Sequence, residues 1–182
     1  MNEPTAPKKQ KKPPAYVLVG LPGSGKSTWA KNHPARLPIA SGDVFLEEFA
    51  RKDGITYAEA FKKYYKKSVA LMKKRVGELV DAGGPFIWDQ TNLERKERDG
   101  IYGRLHKTHE VIFVCFLVPL DVCLAQHKKR QAKGRDGGDV VDEKRIRYLA
   151  SLTEFPVKGD KCDKIVNIIH PEWKRPERKK ES

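Results

Sequence analysis

The chain has 182 residues, 37 of them Lys or Arg against 24 Asp or Glu, for a formal net charge of +13. That length accommodates one sizeable core and excludes two ordinary ones, and no run approaches the roughly 18 apolar residues that a membrane-spanning helix needs. The excess of positive charge points to anionic partners, nucleic acid ahead of anionic lipid, while three cysteines without C-x-x-C spacing (Cys115, Cys123, Cys162) exclude a disulfide scaffold and read as reduced core thiols of a cytoplasmic protein.

Residues 1–14 mix Lys8, Lys9, Lys11 and Lys12 with Pro4, Pro7, Pro13 and Pro14, a composition that cannot bury apolar surface and is expected to form a basic arm. Residues 171–182 read as a second basic tail, leaving 15–170 as the folded domain. Within that domain strand-like and helix-like segments alternate. An apolar strand from Tyr16 to Gly20 leads into a glycine-rich loop and a helix from Thr28. A second strand, Leu37 to Ala40, precedes a helix over Val44 to Phe49. The sequence then predicts a long helix from Tyr57 to about Val80, opened by the capping box Thr56-x-x-Glu59. A strand from Pro85 to Trp88 follows, with a second capping box, Thr91-x-x-Glu94, before the next helix. Strands Glu110 to Val118 and Lys164 to Ile169 complete the pattern, with helices between them. The alternation predicts an α/β fold with a parallel sheet of about five strands flanked by helices, and the glycine-rich loop after its first strand makes that a P-loop fold.

Gly20-Leu21-Pro22-Gly23-Ser24-Gly25-Lys26-Ser27 fits G-x-x-x-x-G-K-[ST] between a strand and a helix, the context that gives this motif its meaning. Gly20, Gly23 and Gly25 let backbone N–H groups curl round an anion, Pro22 and Ser24 complete the loop, and the helix N-terminus adds partial positive charge. Lys26 then reaches the β- and γ-phosphates of a nucleotide, Ser27 ligates Mg²⁺, and Thr28 is a second oxygen nearby. ATP and Mg²⁺ are the implied cofactors.

A phosphate loop is shared by motors, GTPases and kinases, so the remaining acids and bases must discriminate. No N-K-x-D motif for guanine is present, and Asp89 is followed by Gln90 rather than the Glu that many ATP-hydrolysing motors place there. Asp43 lies just beyond the second strand and Asp89 at the end of the third, so both should face a bound γ-phosphate from the carboxyl edge of the sheet. Asp43 is the candidate general base for an acceptor hydroxyl, with a helix N-cap as its structural alternative; Asp89, in the Walker B position, would hold Mg²⁺ or orient a basic side chain. The segment from Gln126 to Gly138 is basic and glycine-containing, as a lid closing over a nucleotide would be. Arg130 is the first choice for contacting the transferring phosphoryl group and Arg135 the second, while His127 alone reads as a surface histidine. On the long helix, Phe61, Tyr65, Val69, Met72, Val76 and Leu79 mark a packing face. Lys62, Lys63, Lys66, Lys67, Lys73 and Lys74 mark an opposite face that is either solvated or a polyanion track, with Lys62, Lys63, Lys66 and Lys67 as the candidate nucleic-acid contacts.

From Val17 to about Ile168 the chain resembles the kinase domain of the polynucleotide 5′-kinase family. The likeness is carried by the loop GLPGSGKSTWAK, by Trp88-Asp89-Gln90-Thr91-Asn92, which is similar to the family's D-N-T-N strand end, by His127-Lys128-Lys129-Arg130, similar to its H-N-N-R lid helix, and by Glu154-Phe155-Pro156 before a final strand. The resemblance implies ATP-dependent phosphorylation of a nucleic-acid hydroxyl, a 5′-OH first, with Lys26, Ser27, Asp43, Asp89 and Arg130 in the roles argued above. Gly42 and Leu46 stand where the family carries arginines around its catalytic Asp, so the grip on the phosphate beside a 5′ end departs from the family's. A hydroxyl on a modified base, a nucleotide or small-molecule substrate, and a nucleic-acid binder that uses ATP only as a switch are the alternatives. The D-x-D-G-T phosphatase motif is absent, so no 3′-phosphatase activity is expected.

Overall fold

The computed structural model describes residues 11–132 and 142–174. Five parallel strands, β1 (Pro14–Val19), β2 (Ile39–Ala40), β3 (Phe86–Trp88), β4 (Glu110–Leu117) and β5 (Lys164–Ile169), form one sheet in the order β2-β3-β1-β4-β5. The helices are α1 (Lys26–Lys31), α2 (Gly42–Asp53), α3 (Tyr57–Asp81), α4 (Arg95–Leu105), α5 (Leu120–Ala132) and α6 (Glu143–Ser151). The expected α/β architecture is the one observed. Strand β1 is central, and Val17, Leu18 and Val19 are all inaccessible to solvent, which is why it reads as a continuous apolar run rather than an alternating one.

One face of the sheet is packed by Met72, Val76 and Leu79 of α3 and Ile101 and Leu105 of α4. The other carries Ala30 and Trp29 of α1 against Leu18, Ile112 and Phe116. Helices cover both faces, and the chain order reverses about β1, where the glycine-rich loop leaves the sheet, the position at which ligands sit in open α/β sheets.

Several elements differ from expectation for identifiable reasons. Strand β1 begins at Pro14, paired with Glu110, because a proline is tolerated at the first residue of a strand, where no N–H is needed. Thr56 and Glu59 do form a capping box. Thr91 does not: α4 starts at Arg95 with Glu94 as its N-cap, and Thr91 instead gives its carbonyl to Gly20 N–H at 3.0 Å. Asp43 is not an N-cap either, since Ser41 holds that position and accepts from Asp43 N–H. In α3 the buried residues are Ala60, Ser68, Met72, Val76 and Leu79, while Phe61 is half-buried and Tyr65 is 50% exposed, so the first turns of the expected packing face are less fully covered than the later ones. Trp173, within the expected tail, packs edge-on against Phe155 with centroids 6.1 Å apart.

Candidate active site

The glycine-rich loop takes a shape that other residues could not. Gly23 has φ +83°, and a Cβ there would lie 2.5 Å from the Cys123 carbonyl oxygen of α5; Gly25, with φ +94°, is the left-handed N-cap of α1. Gly20, Gly23 and Ser24 are buried and Pro22 is half-buried. Lys26, the first residue of α1, is buried and its Nζ donates to Gly20 O at 2.8 Å and Leu21 O at 2.7 Å, across the base of the loop. Ser24 Oγ is buried without a hydrogen-bond partner among the described residues. A buried hydroxyl of this kind costs roughly 1–3 kcal/mol unless something accepts or donates to it, and an anion seated in the loop would do so.

The strand ends bring acids to this loop. Asp89 follows β3 directly, is nearly buried, and shares a side-chain hydrogen bond with Ser27. Burial pushes the Asp89 carboxyl above its usual range, with Lys26 and Ser27 opposing the shift. The loop beyond it is anchored tightly. Asn92 sits in the left-handed region at φ +45° and donates from Nδ2 to Leu18 O at 2.7 Å, binding the strand-three loop to β1. The Arg98 guanidinium, 1% exposed, donates to Asn92 O at 3.1 Å and Leu93 O at 2.7 Å and pairs with buried Asp160 at 3.7 Å.

Asp43 lies in the first turn of α2, exposed, and accepts a hydrogen bond from Tyr57 Oη at 2.8 Å. Burial lowers the Lys26 pKa to about 8; the charges of Asp89 and Asp43 act against that shift, and Arg130 of α5 acts with it. Lys26, Ser27, Asp89, Asp43 and Arg130, from four separate segments, therefore share one electrostatic environment at the carboxyl edge of the sheet. Thr28 is on the exposed side of α1. Arg135 lies outside the described residues, as does the end of the basic lid segment. His127, expected at the surface, is buried on α5.

The four candidate lysines do not form one open face. Lys63 Nζ pairs with Asp53 at the end of α2 at 3.0 Å, and Tyr64 Oη donates to the same carboxylate. Lys67 lies over the rings of Phe49 and Tyr64, at 5.0 and 6.0 Å from their centroids. Lys62, Lys66 and Lys67 are exposed without an ion pair among the described residues, and of these three only Lys67 lies over rings among the described residues. Asn92, Arg98 and Tyr57 were not singled out as site residues from the sequence. Asn92 carried a signal, being one of the few residues that tolerates positive φ, whereas nothing local marks Tyr57 or Arg98.

A phosphate loop, a serine–aspartate pair, a second carboxylate and a basic helix at the switch of a five-stranded parallel sheet define a kinase-type P-loop domain. Residues 16–155 match the AAA domain family AAA_33, and the chain belongs to that family. A protein of Autographa californica nuclear polyhedrosis virus described as a bifunctional polynucleotide kinase/RNA ligase is 26% identical over 161 residues, covering 82% of this chain. The match spans 23% of that relative's length. Among solved structures, a Chloroflexus aurantiacus protein described as a kinase superposes with a TM-score of 0.67 at 19% identity, covering 89% of this chain and 91% of its own. A gluconokinase from Sinorhizobium meliloti 1021 gives 0.54 at 16% identity, covering 88% and 84%. These two likenesses concern the fold. Among the described residues no helix is long and apolar enough to cross a membrane.

Proposed function

We propose that the protein transfers the γ-phosphoryl group of ATP to a hydroxyl of a nucleic acid, most simply a 5′-OH, and that residues 15–170 are the catalytic unit. The observation that carries phosphoryl transfer is the phosphate loop, with Lys26 buried across its base and Asp89, at the end of β3, hydrogen-bonded to Ser27. The acceptor rests on the net charge of +13 and on the viral relative described as a polynucleotide kinase/RNA ligase.

The residues present fit a nucleotide triphosphate. Ser24 supplies an orphaned hydroxyl, the space beside Gly25 is open, and Lys26 needs only to leave two carbonyls to meet the β- and γ-phosphates. Ser27 and Asp89 would hold Mg²⁺, which when bound neutralises charge on the phosphate oxygens. Asp43 takes the proton of the acceptor hydroxyl as its oxygen bonds to the γ-phosphorus. The bond from that phosphorus to the β–γ bridging oxygen breaks, and ADP leaves. Arg130 balances charge on the phosphoryl group in transit. Tyr57 steers the Asp43 carboxylate through one oxygen, leaving the other for the acceptor.

The test is a panel of acceptors supplied with γ-labelled ATP: 5′-OH oligonucleotides, duplexes with and without hydroxymethylated bases, nucleosides and gluconate. Label on the 5′-OH oligonucleotides supports the reading. Label confined to modified bases, or to small molecules, replaces it with another kinase activity of the same fold.

A further inference from the structure

Three rings follow one another along α3 at four-residue spacing. Tyr57 and Phe61 have centroids 6.5 Å apart, and Phe61 and Tyr65 4.8 Å apart. The row begins at the candidate base, through the Tyr57 Oη bond to Asp43, and ends on the half-exposed ring of Tyr65. None of the three belongs to the clusters packed on the sheet. Val44, the neighbour of Asp43 in the chain, is also exposed. On one flank of the row α2 is docked, through the Phe49–Tyr64 ring pair and the Lys63–Asp53 bridge. On the other flank Lys62 and Lys66, each about 100° round the helix from the ring before it, are exposed and form no ion pair among the described residues.

A row of rings that is half-buried at Tyr57 and Phe61 and exposed at Tyr65, beside unpaired cations, suits a ligand with flat apolar faces and a polyanionic backbone. An unpaired strand of nucleic acid has both, whereas a duplex hides its base faces except at the terminal pair. From Tyr57 to Tyr65 the helix rises about 12 Å, room for about three nucleotides at the stacked spacing of roughly 3.4 Å. We propose that Tyr57, Phe61 and Tyr65, with Lys62 and Lys66, form a track for the unpaired nucleotides immediately behind the acceptor end, so that the substrate class is single-stranded or 5′-overhanging nucleic acid. This rests on the reading of the acceptor as nucleic acid. It also relocates the polyanion path from the whole lysine face to the flank that α2 leaves open.

Binding of end-labelled single-stranded DNA and RNA 12-mers and of a blunt duplex to the intact protein tests the track by fluorescence anisotropy, and phosphate transfer to the same molecules is measured in parallel. Tyr65→Ser should weaken single-strand binding about 5- to 100-fold, the usual worth of one stacked base, with little change for the blunt duplex. Tyr65→Phe, which keeps the ring, should restore it. Single-strand binding that stays within twofold of wild type in Tyr65→Ser, or an equal loss for duplex and single strand, overturns the track even when phosphate is still transferred to 5′-OH ends. Conversely, Tyr65-dependent single-strand binding without transfer to any acceptor keeps the track and removes the kinase reading. Wild-type protein that binds no single strand removes the track outright.

Discussion

At the residue scale, the fold alters the chemistry of Lys26 strongly. In water a lysine holds its proton to about pH 10.4, but burial in the loop brings Lys26 down to about 8. Between those values the side chain is mostly neutral in the folded protein. Nucleotide phosphates brought beside it raise its proton affinity, so ATP binding at pH 9 should be accompanied by uptake of up to one proton. The uptake should fade below pH 7, where Lys26 is already charged in the free protein. Calorimetry in buffers of different ionisation enthalpy reads this directly, and binding at pH 9 without proton uptake would contradict the assigned environment. Asp43 makes a different demand. Asp43→Asn should slow single-turnover transfer by about 10²- to 10⁴-fold with ATP affinity nearly unchanged, the range for loss of a general base. An unaltered rate would return Asp43 to a structural role in the first turn of α2, where Ser41 already caps the helix.

At the scale of elements, the loop after β3 is held by groups far apart in sequence. Arg98 clamps the Asn92 and Leu93 carbonyls from within α4, and Asp160 compensates its charge from the segment before β5. Both side chains are almost wholly buried. Asp160→Ala should therefore destabilise the protein by about 3–5 kcal/mol, because it strands a buried guanidinium, and urea unfolding would show the shift in midpoint. A loss below 1 kcal/mol would mean that the carbonyls alone satisfy Arg98. The same region shows where sequence is readable and where it is not. The phosphate loop was legible because its glycines answer to local backbone geometry, and β4 because eight consecutive residues are mostly buried apolar ones. The start of α4 was misread from Thr91 and Glu94 because the N–H of Arg95 is capped from a distance, by Glu154 Oε2 at 2.7 Å and 59 residues away. The α3 lysines looked uncompensated for a similar reason: Asp53, which pairs with Lys63, comes from α2. Capping boxes and charge runs are local signals, and tertiary packing overrode both.

For the whole molecule the net charge of +13 is an electrostatic statement about its partner. Binding of a single strand should fall with salt at a slope of about −0.7 per phosphate contacted. Reversing Lys62 and Lys66 to Glu should flatten that slope by more than reversing Lys63 and Lys67, since Lys63 is already paired with Asp53 and Lys67 lies on two rings. Equal effects of the two double reversals would restore the broad lysine face as the contact surface. Charge alone does not fix the hydroxyl that receives phosphate, and that is the centre of the functional reading. It is tested most directly by a single turnover of wild-type protein with γ-labelled ATP, Mg²⁺ and an unmodified 5′-OH oligonucleotide, followed by digestion to mononucleotides. The expected result is label confined to the 5′-phosphate of the terminal nucleotide; label found only as inorganic phosphate would contradict it.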